Sequence, residues 1–174
     1  MRSNWLIFLI LIGCAASGEL EDMKLSSPVF SHEGKIPSKY TCDGENTNPA
    51  LEFSDIPKNA KSLVLIMEDP DVPEHLRADG MWNHWVVFNI PLETKGVGEN
   101  QEPPGIEGIT TSKKLKYGGP CPPDREHRYF FKLFALDTML NLPQGSTKEQ
   151  VLDAIKGHIL AEAELMGKYQ RVEQ

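Results

Sequence analysis

Acidic and imidazole side chains follow one strongly aliphatic segment of the chain. Asp69 and Asp71 stand on either side of a proline directly after the run SLVLIM, and Pro73 completes the motif DPDVP. His84 follows in the aromatic segment WNHW. A carboxylate beside an imidazole favours the charged form of the ring, which can then donate hydrogen bonds to an anion. This pattern indicates a site for a small anionic ligand.

A second polar cluster lies in the segment GGPCPPDREHRY, residues 118–129. Gly119 would let the backbone approach a ligand closely, and Pro120 and its neighbouring prolines would stiffen the wall of a cleft. His127 and Tyr129 supply polar groups at the start of the next strand-like run. Lys113 and Lys114, just before this segment, are typical of a solvated surface.

Each of these residues also has a structural explanation, and two other kinds of site remain open. Asp-Pro-Asp is often only a turn. Cys121, His127 and Asp69 could form the nucleophile, base and orienting group of a hydrolase. The histidines and carboxylates could instead bind a divalent metal. Cys121 lies between two prolines, and no HxxxH spacing occurs, so the sequence favours a binding module without a cofactor or a metal over an enzyme.

The pattern of the first 22 residues predicts an export and anchoring segment. An apolar run at 5–12, too short to span a bilayer, follows Arg2, as in a secretory signal. It ends in LIGC, which resembles the cleavage box of bacterial lipoproteins and predicts lipidation of Cys14. We therefore predict a signal peptide at 1–13, a tether at 14–22 and a domain at 23–174. The protein would be anchored at the cell envelope by its lipid or, without lipidation, secreted.

The two remaining cysteines, Cys42 and Cys121, would meet oxidising conditions after export. A disulfide between them is therefore expected, although the sequence alone also allows two free thiols.

The bulk composition is that of one globular domain. The chain has 174 residues, of which 40% are hydrophobic and 25% are charged. The formal net charge of -7 argues against a nucleic-acid partner, which would require a basic face.

Short strand-like runs must position the polar clusters. They fall at residues 23–30, 50–57, 62–69, 84–91 and 127–137, separated by segments rich in Pro, Gly and Asn. One helix is predicted after a capping box at Ser146 and Glu149, with its apolar face extending towards Ile159 and Ala163 and its end left open. We expect a mainly β protein, an antiparallel β-sandwich with a C-terminal helix packed on it.

Five blocks, in this order along the chain, resemble the phosphatidylethanolamine-binding protein family. They are YTCDGENTNPALEFSDIP, DPDVP, HWVVFNIP, GGPCPPDREHRYFFKLFALD and GHILAEAELMGKYQR. The blocks look most like the bacterial and archaeal branch, often called Raf-kinase-inhibitor-like, and the resemblance runs from about Leu25 to about Arg171. Trp82-Asn83 and the charged tip at 124–126 depart from the eukaryotic pattern.

The resemblance implies the family's β-sandwich with a small surface cavity for phosphate or phosphoryl headgroups. It also implies a role as an inhibitor or sensor, with a protein partner of the kinase or serine-protease type. The residues that match the family's binding motifs are Asp69, Asp71, Pro73, His84, Gly119, Pro120, His127 and Tyr129.

Overall fold

The computed structural model describes residues 22–171, which form two antiparallel sheets, one α-helix and one short 3-10 helix at Ser38–Tyr40. The predicted signal peptide and Cys14 lie outside the described residues, as does nearly all of the tether. The strands are β1 (Lys24–Ser26), β2 (Leu51–Ser54), β3 (Ser62–Asp69), β4 (Trp82–Ile90), β5 (Gly96–Val97), β6 (Ile106–Glu107), β7 (His127–Leu136) and β8 (Ile159–Tyr169). Within 22–171, no helix is both long and apolar enough to cross a membrane.

The sheets have three and five strands, in the orders β1-β2-β5 and β6-β4-β3-β7-β8. Leu51 and Phe53 of the small sheet pack with Leu65, Trp85 and Phe131 of the large sheet in one buried cluster. The predicted mainly β sandwich is therefore confirmed.

Strand β3 lies at the centre of the large sheet, and all eight of its residues are buried. Its side chains alternate between two apolar clusters, as the period of two in a strand requires. Leu65 and Met67 face the small sheet, whereas Val64 and Ile66 face the helix on the other side. This double coverage explains why the segment is a continuous aliphatic run.

The helix α1 (Lys148–Ile155) covers the outer face of the large sheet through Val151 and Ile155. Its capping box is formed by Thr147 and Gln150. The predicted box at Ser146 and Glu149 is wrong by one residue, because the Ser146 hydroxyl donates to the Pro143 carbonyl in the preceding turn, at 2.7 Å.

The helix ends before the C-terminal part of the predicted apolar face. Gly157 adopts a φ of 80° just after it, a left-handed conformation that glycine takes without strain. Ile159 and Ala163 then belong to β8, which pairs with β7 along its whole length. The helix is therefore followed by the last strand of the large sheet.

Candidate functional site

A cavity of about 410 Å³ opens where β3 and β4 meet the loops of the sandwich. Its wall comes from four parts of the chain, residues 42–46, 69–76, 82–84 and 110–123. Among the predicted ligand-binding residues, Asp69, His84 and Gly119 lie on this wall.

Asp69 ends β3, and only 3% of its surface is exposed. Its Oδ1 accepts a hydrogen bond from the Asp71 amide at 2.8 Å, and its Oδ2 lies 2.7 Å from Nδ1 of His127. The carboxylate is therefore held in one orientation by the loop that follows it and by β7.

His127 lies behind the wall and is fully buried. Its Nδ1 bonds to Asp69, and its Nε2 lies 2.8 Å from Oδ1 of Asp124. Each ring nitrogen of His127 therefore lies within hydrogen-bond distance of a carboxyl group of the protein. The hydrogen bond from His127 is the main cause that lowers the pKa of Asp124. Both ring nitrogens of His127 are thus occupied by protein carboxylates.

His84 has a different environment on β4. Its Nδ1 lies 2.7 Å from the Gly118 carbonyl oxygen, which can only accept, so Nδ1 carries the hydrogen. Burial lowers the pKa of His84, against smaller opposing effects of the Gly118 hydrogen bond and the Asp69 charge. The ring is therefore neutral at pH 7, and Nε2 is its acceptor. Of the two histidines expected to donate to an anion, neither has a free charged donor here.

Tyr129 is fully buried between the two histidines. Its ring meets His84 edge-on at 5.4 Å and stacks on His127 at 6.5 Å. Its hydroxyl forms no hydrogen bond of standard geometry among residues 22–171, and burial, followed by the nearby Asp69 carboxylate, raises its pKa.

The loop with Gly119 and Pro120 is joined to the segment around Cys42. Cys42 and Cys121 form a disulfide with their Cα atoms 5.4 Å apart, which confirms the expected bond. The Gly119 amide donates to Oδ1 of Asn46 at 2.7 Å, and the Pro120 carbonyl accepts from the Cys42 amide at 3.0 Å. A Cβ at Gly119 would overlap the Tyr40 carbonyl oxygen, so the close approach requires glycine.

Asp71 and Pro73 lie beside the cavity, on a shallower depression that includes Arg125. The Arg128 guanidinium donates to both oxygens of Asp71 at 2.9 and 2.8 Å, and this bidentate contact is the main cause that holds the pKa of Asp71 low. Asp71 thus fastens the loop after β3 to β7. Its role as a ligand contact remains a prediction.

Lys114 and Lys116 are two candidate ligand-binding residues that were not predicted as such from the sequence. Both line the cavity, and neither forms an ion pair within the described part of the chain. The sequence offers only a weak signal for them, two lysines two residues apart in a loop.

The structure also bears on the two alternative sites. The sulfur of Cys121 is bonded to Cys42, so in this state it is not a thiolate nucleophile. Across residues 22–171, no group of three or more His, Cys, Asp or Glu side chains is arranged to hold a metal ion.

Comparison with known proteins identifies the family. The family model for phosphatidylethanolamine-binding proteins matches residues 26–170. A UPF0098 protein of Chlamydia trachomatis is 48% identical over 149 residues, covering 86% of this chain and 99% of the relative. A UPF0098 protein of Methanothermobacter thermautotrophicus is 48% identical over 155 residues, with the same coverage of both chains.

Solved structures agree with this assignment. CT736 of Chlamydia trachomatis, a phosphatidylethanolamine-binding protein homologue, superposes with a TM-score of 0.84 at 48% identity, over 86% of this chain and 98% of that one. YbcL of E. coli, described as a member of the mammalian family, gives a TM-score of 0.77 at 26% identity, over 86% and 99%. The chain belongs to the phosphatidylethanolamine-binding protein family.

Proposed function

We propose that this protein is a non-catalytic binding module whose cavity takes a small ligand with a phosphoryl group. The main support for this proposal is the charge of the cavity wall. Lys114 and Lys116 line a cavity without acidic partners among the described residues, in a chain whose formal net charge is -7. A kinase or protease as protein partner remains a prediction from the resemblance alone.

The size and stiffness of the cavity support a small ligand. Its volume of about 410 Å³ lies in the lower part of the range for small-molecule sites, which is roughly 300–1,000 Å³. The disulfide between Cys42 and Cys121 and the prolines around it limit the motion of one wall. A wall that is already ordered lowers the entropic cost of binding.

The absence of a reactive pair among the described wall residues supports binding over catalysis. Cys121 is held in the disulfide, and both nitrogens of His127 are bonded to carboxylates. His84 has an acceptor at Nε2, but a general base acts only with a nucleophile within hydrogen-bond reach. No such side-chain hydrogen bond to His84 Nε2 is formed within residues 22–171.

The test is a calorimetric titration of the purified protein with inorganic phosphate and with phosphoethanolamine. We expect saturable binding that weakens about tenfold or more in the double variant Lys114→Met/Lys116→Met, because two charge-assisted hydrogen bonds are lost. Lys113→Met is the matched control, since Lys113 does not line the cavity. No saturable binding by the folded wild-type protein, or equal binding by the double variant, would contradict the proposal.

We also propose export and attachment to a membrane through a lipid on Cys14. The disulfide supports export, because such bonds persist mainly in oxidising compartments. Cys14→Ser should move the protein from the membrane fraction to the soluble fraction. Retention of the variant in the membrane fraction would exclude a lipid anchor at this position.

A further inference from the structure

Residues 98–105, which we call the strap, connect the two sheets at one edge of the sandwich. β5 is an edge strand of the small sheet and β6 is an edge strand of the large sheet, so the strap crosses from one sheet to the other. It packs closely on β4, because a Cβ atom added to Gly105 would overlap the side chain of Val87. The strap therefore covers the interior between the sheets at this edge.

The two halves of the strap are held in different ways. In the first half, the side-chain amide of Asn48 donates to the Gly98 carbonyl oxygen at 2.9 Å, and the Thr47 hydroxyl donates to Oδ1 of Asn100 at 2.8 Å. These groups do not titrate. The second half, residues 102–105, contains two prolines and forms no backbone–backbone hydrogen bond within the described part of the chain. It is therefore held by packing and by the groups that its side chains meet.

One of these groups is the carboxyl of Glu107 in β6, a residue that pairs with Val87 of β4. Only 8% of Glu107 is exposed, and neither of its oxygens forms a hydrogen bond of standard geometry within residues 22–171. The indole N–H of Trp85, a residue that is 1% exposed, forms none either. Glu102 of the strap and Trp85 are the two side chains that act on the Glu107 carboxyl, and no cationic side chain of the described chain acts on it.

A buried carboxyl without a cationic partner favours its protonated form. In that form Glu107 can donate its proton to the Glu102 carboxylate, which fastens the second half of the strap to β6. Loss of the proton would leave a buried negative charge facing a second carboxylate, and the two would repel each other. Burial, followed by Glu102, raises the pKa of Glu107 to about 8, so the loss falls near neutral pH.

We propose that Glu102 and Glu107 form a proton-dependent latch, which holds residues 102–105 across the edge of the sandwich and releases them when the shared proton is lost. In the open state Glu107 is in water, where its pKa returns to the ordinary value of 4.5. The closed state thus keeps a proton that the open state loses, so opening becomes more favourable as the pH rises from about 4.5 to about 8. The latch lies behind the cavity wall, since the ring of Trp85 meets Tyr117, which lines the cavity, edge-on at 5.4 Å.

The test is hydrogen exchange of the Trp85 indole N–H, followed by NMR of the ¹⁵N-labelled protein between about pH 5.5 and 8. Release of the strap exposes this group, so its protection relative to a free indole should fall about tenfold per pH unit until Glu107 ionises in the closed state. The backbone amide of Leu65, in the centre of β3, reports unfolding of the whole domain. Trp85 should be about tenfold or more less protected than Leu65 near pH 8.

Two variants separate the parts of the latch. Glu107→Gln keeps the shape of the protonated side chain and cannot ionise, so Trp85 should stay protected across the pH range. Glu102→Gln removes the like charge and offers an amide donor to an ionised Glu107, so its opening should depend less on pH than that of the wild-type protein. Glu93→Gln, at an exposed position in the turn before β5, is the matched control and should behave as the wild-type protein does.

Three results would overturn the latch. The same pH dependence of Trp85 exchange in Glu107→Gln and in the wild-type protein means that this proton does not control the strap. The same dependence in Glu102→Gln and in the wild-type protein means that Glu102 does not share the proton. Equal protection of Trp85 and Leu65 at every pH means that exposure requires unfolding of the whole domain rather than local release of the strap.

Discussion

Glu68 and Asp69 are consecutive buried acids of β3, and their carboxylates serve opposite faces of the large sheet. Glu68 lies on the helix side, where Lys132 and Lys148 each bond one of its oxygens at 2.7 Å. Asp69 lies on the side of the cavity, where it bonds to the Asp71 amide and to His127. The end of β3 therefore contributes to a closed ion cluster of Glu68, Lys132 and Lys148 on one face of the sheet, and to the wall of the cavity on the other face.

The difference lies in whether the partners of each buried carboxylate are all supplied by the protein. Burial raises the pKa of Glu68, but the hydrogen bonds and charges of the two lysines outweigh it, so the net shift is downwards. Both oxygens have their own partner, and the cluster has no need of a ligand. Asp69 is equally buried but shares its cavity with His84, whose acceptor has no partner in the described chain.

The largest expected effect on stability comes from a substitution that breaks the closed cluster. Lys148→Met should lower the free energy of unfolding by about 3 kcal/mol or more, because a buried carboxylate loses one of its two cationic partners. Phosphate affinity should stay unchanged, since Lys148 is not on the cavity wall. Urea denaturation measures the first quantity and calorimetry the second. Glu68→Met/Lys148→Met is the control and should recover most of the stability, because the remaining member, Lys132, is partly exposed and its ammonium can reach water.

Glu107 provides a third buried carboxyl for this comparison, and neither of its oxygens forms a hydrogen bond of standard geometry in the described chain. Burial, with a smaller effect of Glu102, raises its pKa to about 8 from an ordinary value of 4.5. The folded state thus keeps a proton that the unfolded state loses, so stability should fall as the pH rises from about 4.5 to about 8.

Glu107→Gln should remove this pH dependence. Between pH 5 and pH 8.5 the wild-type protein should lose on the order of 2–4 kcal/mol of stability through this group. The variant should lose correspondingly less, as followed by urea denaturation at both pH values. The same pH dependence in wild type and variant would contradict the unpaired, protonated state of Glu107.

Asp69→Asn tests the cavity side of the comparison. The amide can still accept from the Asp71 backbone through Oδ1, but His127 loses one of its two carboxylates. We expect a loss of about 1–3 kcal/mol in stability, together with weaker binding of phosphoethanolamine, because Asp69 lines the cavity. Asp71→Asn is the control, because Asp71 pairs with Arg128 away from the cavity wall. Equal effects of both variants on phosphoethanolamine affinity would place the recognition elsewhere.

The smallest effect is expected at Tyr129. Its hydroxyl is buried and forms no hydrogen bond of standard geometry in residues 22–171, so Tyr129→Phe should change the free energy of unfolding by less than about 1 kcal/mol. Thermal and urea denaturation measure this directly. A loss of several kcal/mol would show that the hydroxyl has a partner, such as an ordered water.

The sequence predicted much of the architecture and part of the site. The strong apolar runs predicted β3, β4 and β7. The motifs at the ends of these runs predicted a cleft, and Asp69, His84 and Gly119 line one cavity in the structure. The end of the helix was left open, because Ile159 and Ala163 fit a helical spacing while Ala163, Leu165, Gly167 and Tyr169 fit the alternation of a strand.

The hydrogen-bond partners within the site could not be predicted. Nδ1 of His84 bonds to the carbonyl of Gly118, which is 34 residues away. Nδ1 of His127 bonds to the carboxylate of Asp69, which is 58 residues away. Such partners follow from the packing of distant segments, which leave no mark in local residue spacing. For the same reason, the closed cluster of Glu68 and Lys148, 80 residues apart, was not foreseen.

The central claim, that this cavity is the binding site, is tested most directly by amide chemical shifts of the ¹⁵N-labelled protein during a titration with phosphoethanolamine. The account predicts saturable shifts concentrated at Gly118, Gly119 and Lys116, with the residues around Glu68 and Lys148 unaffected. Saturable shifts on another face of the sandwich, or none at a ligand excess over the folded protein, would contradict it.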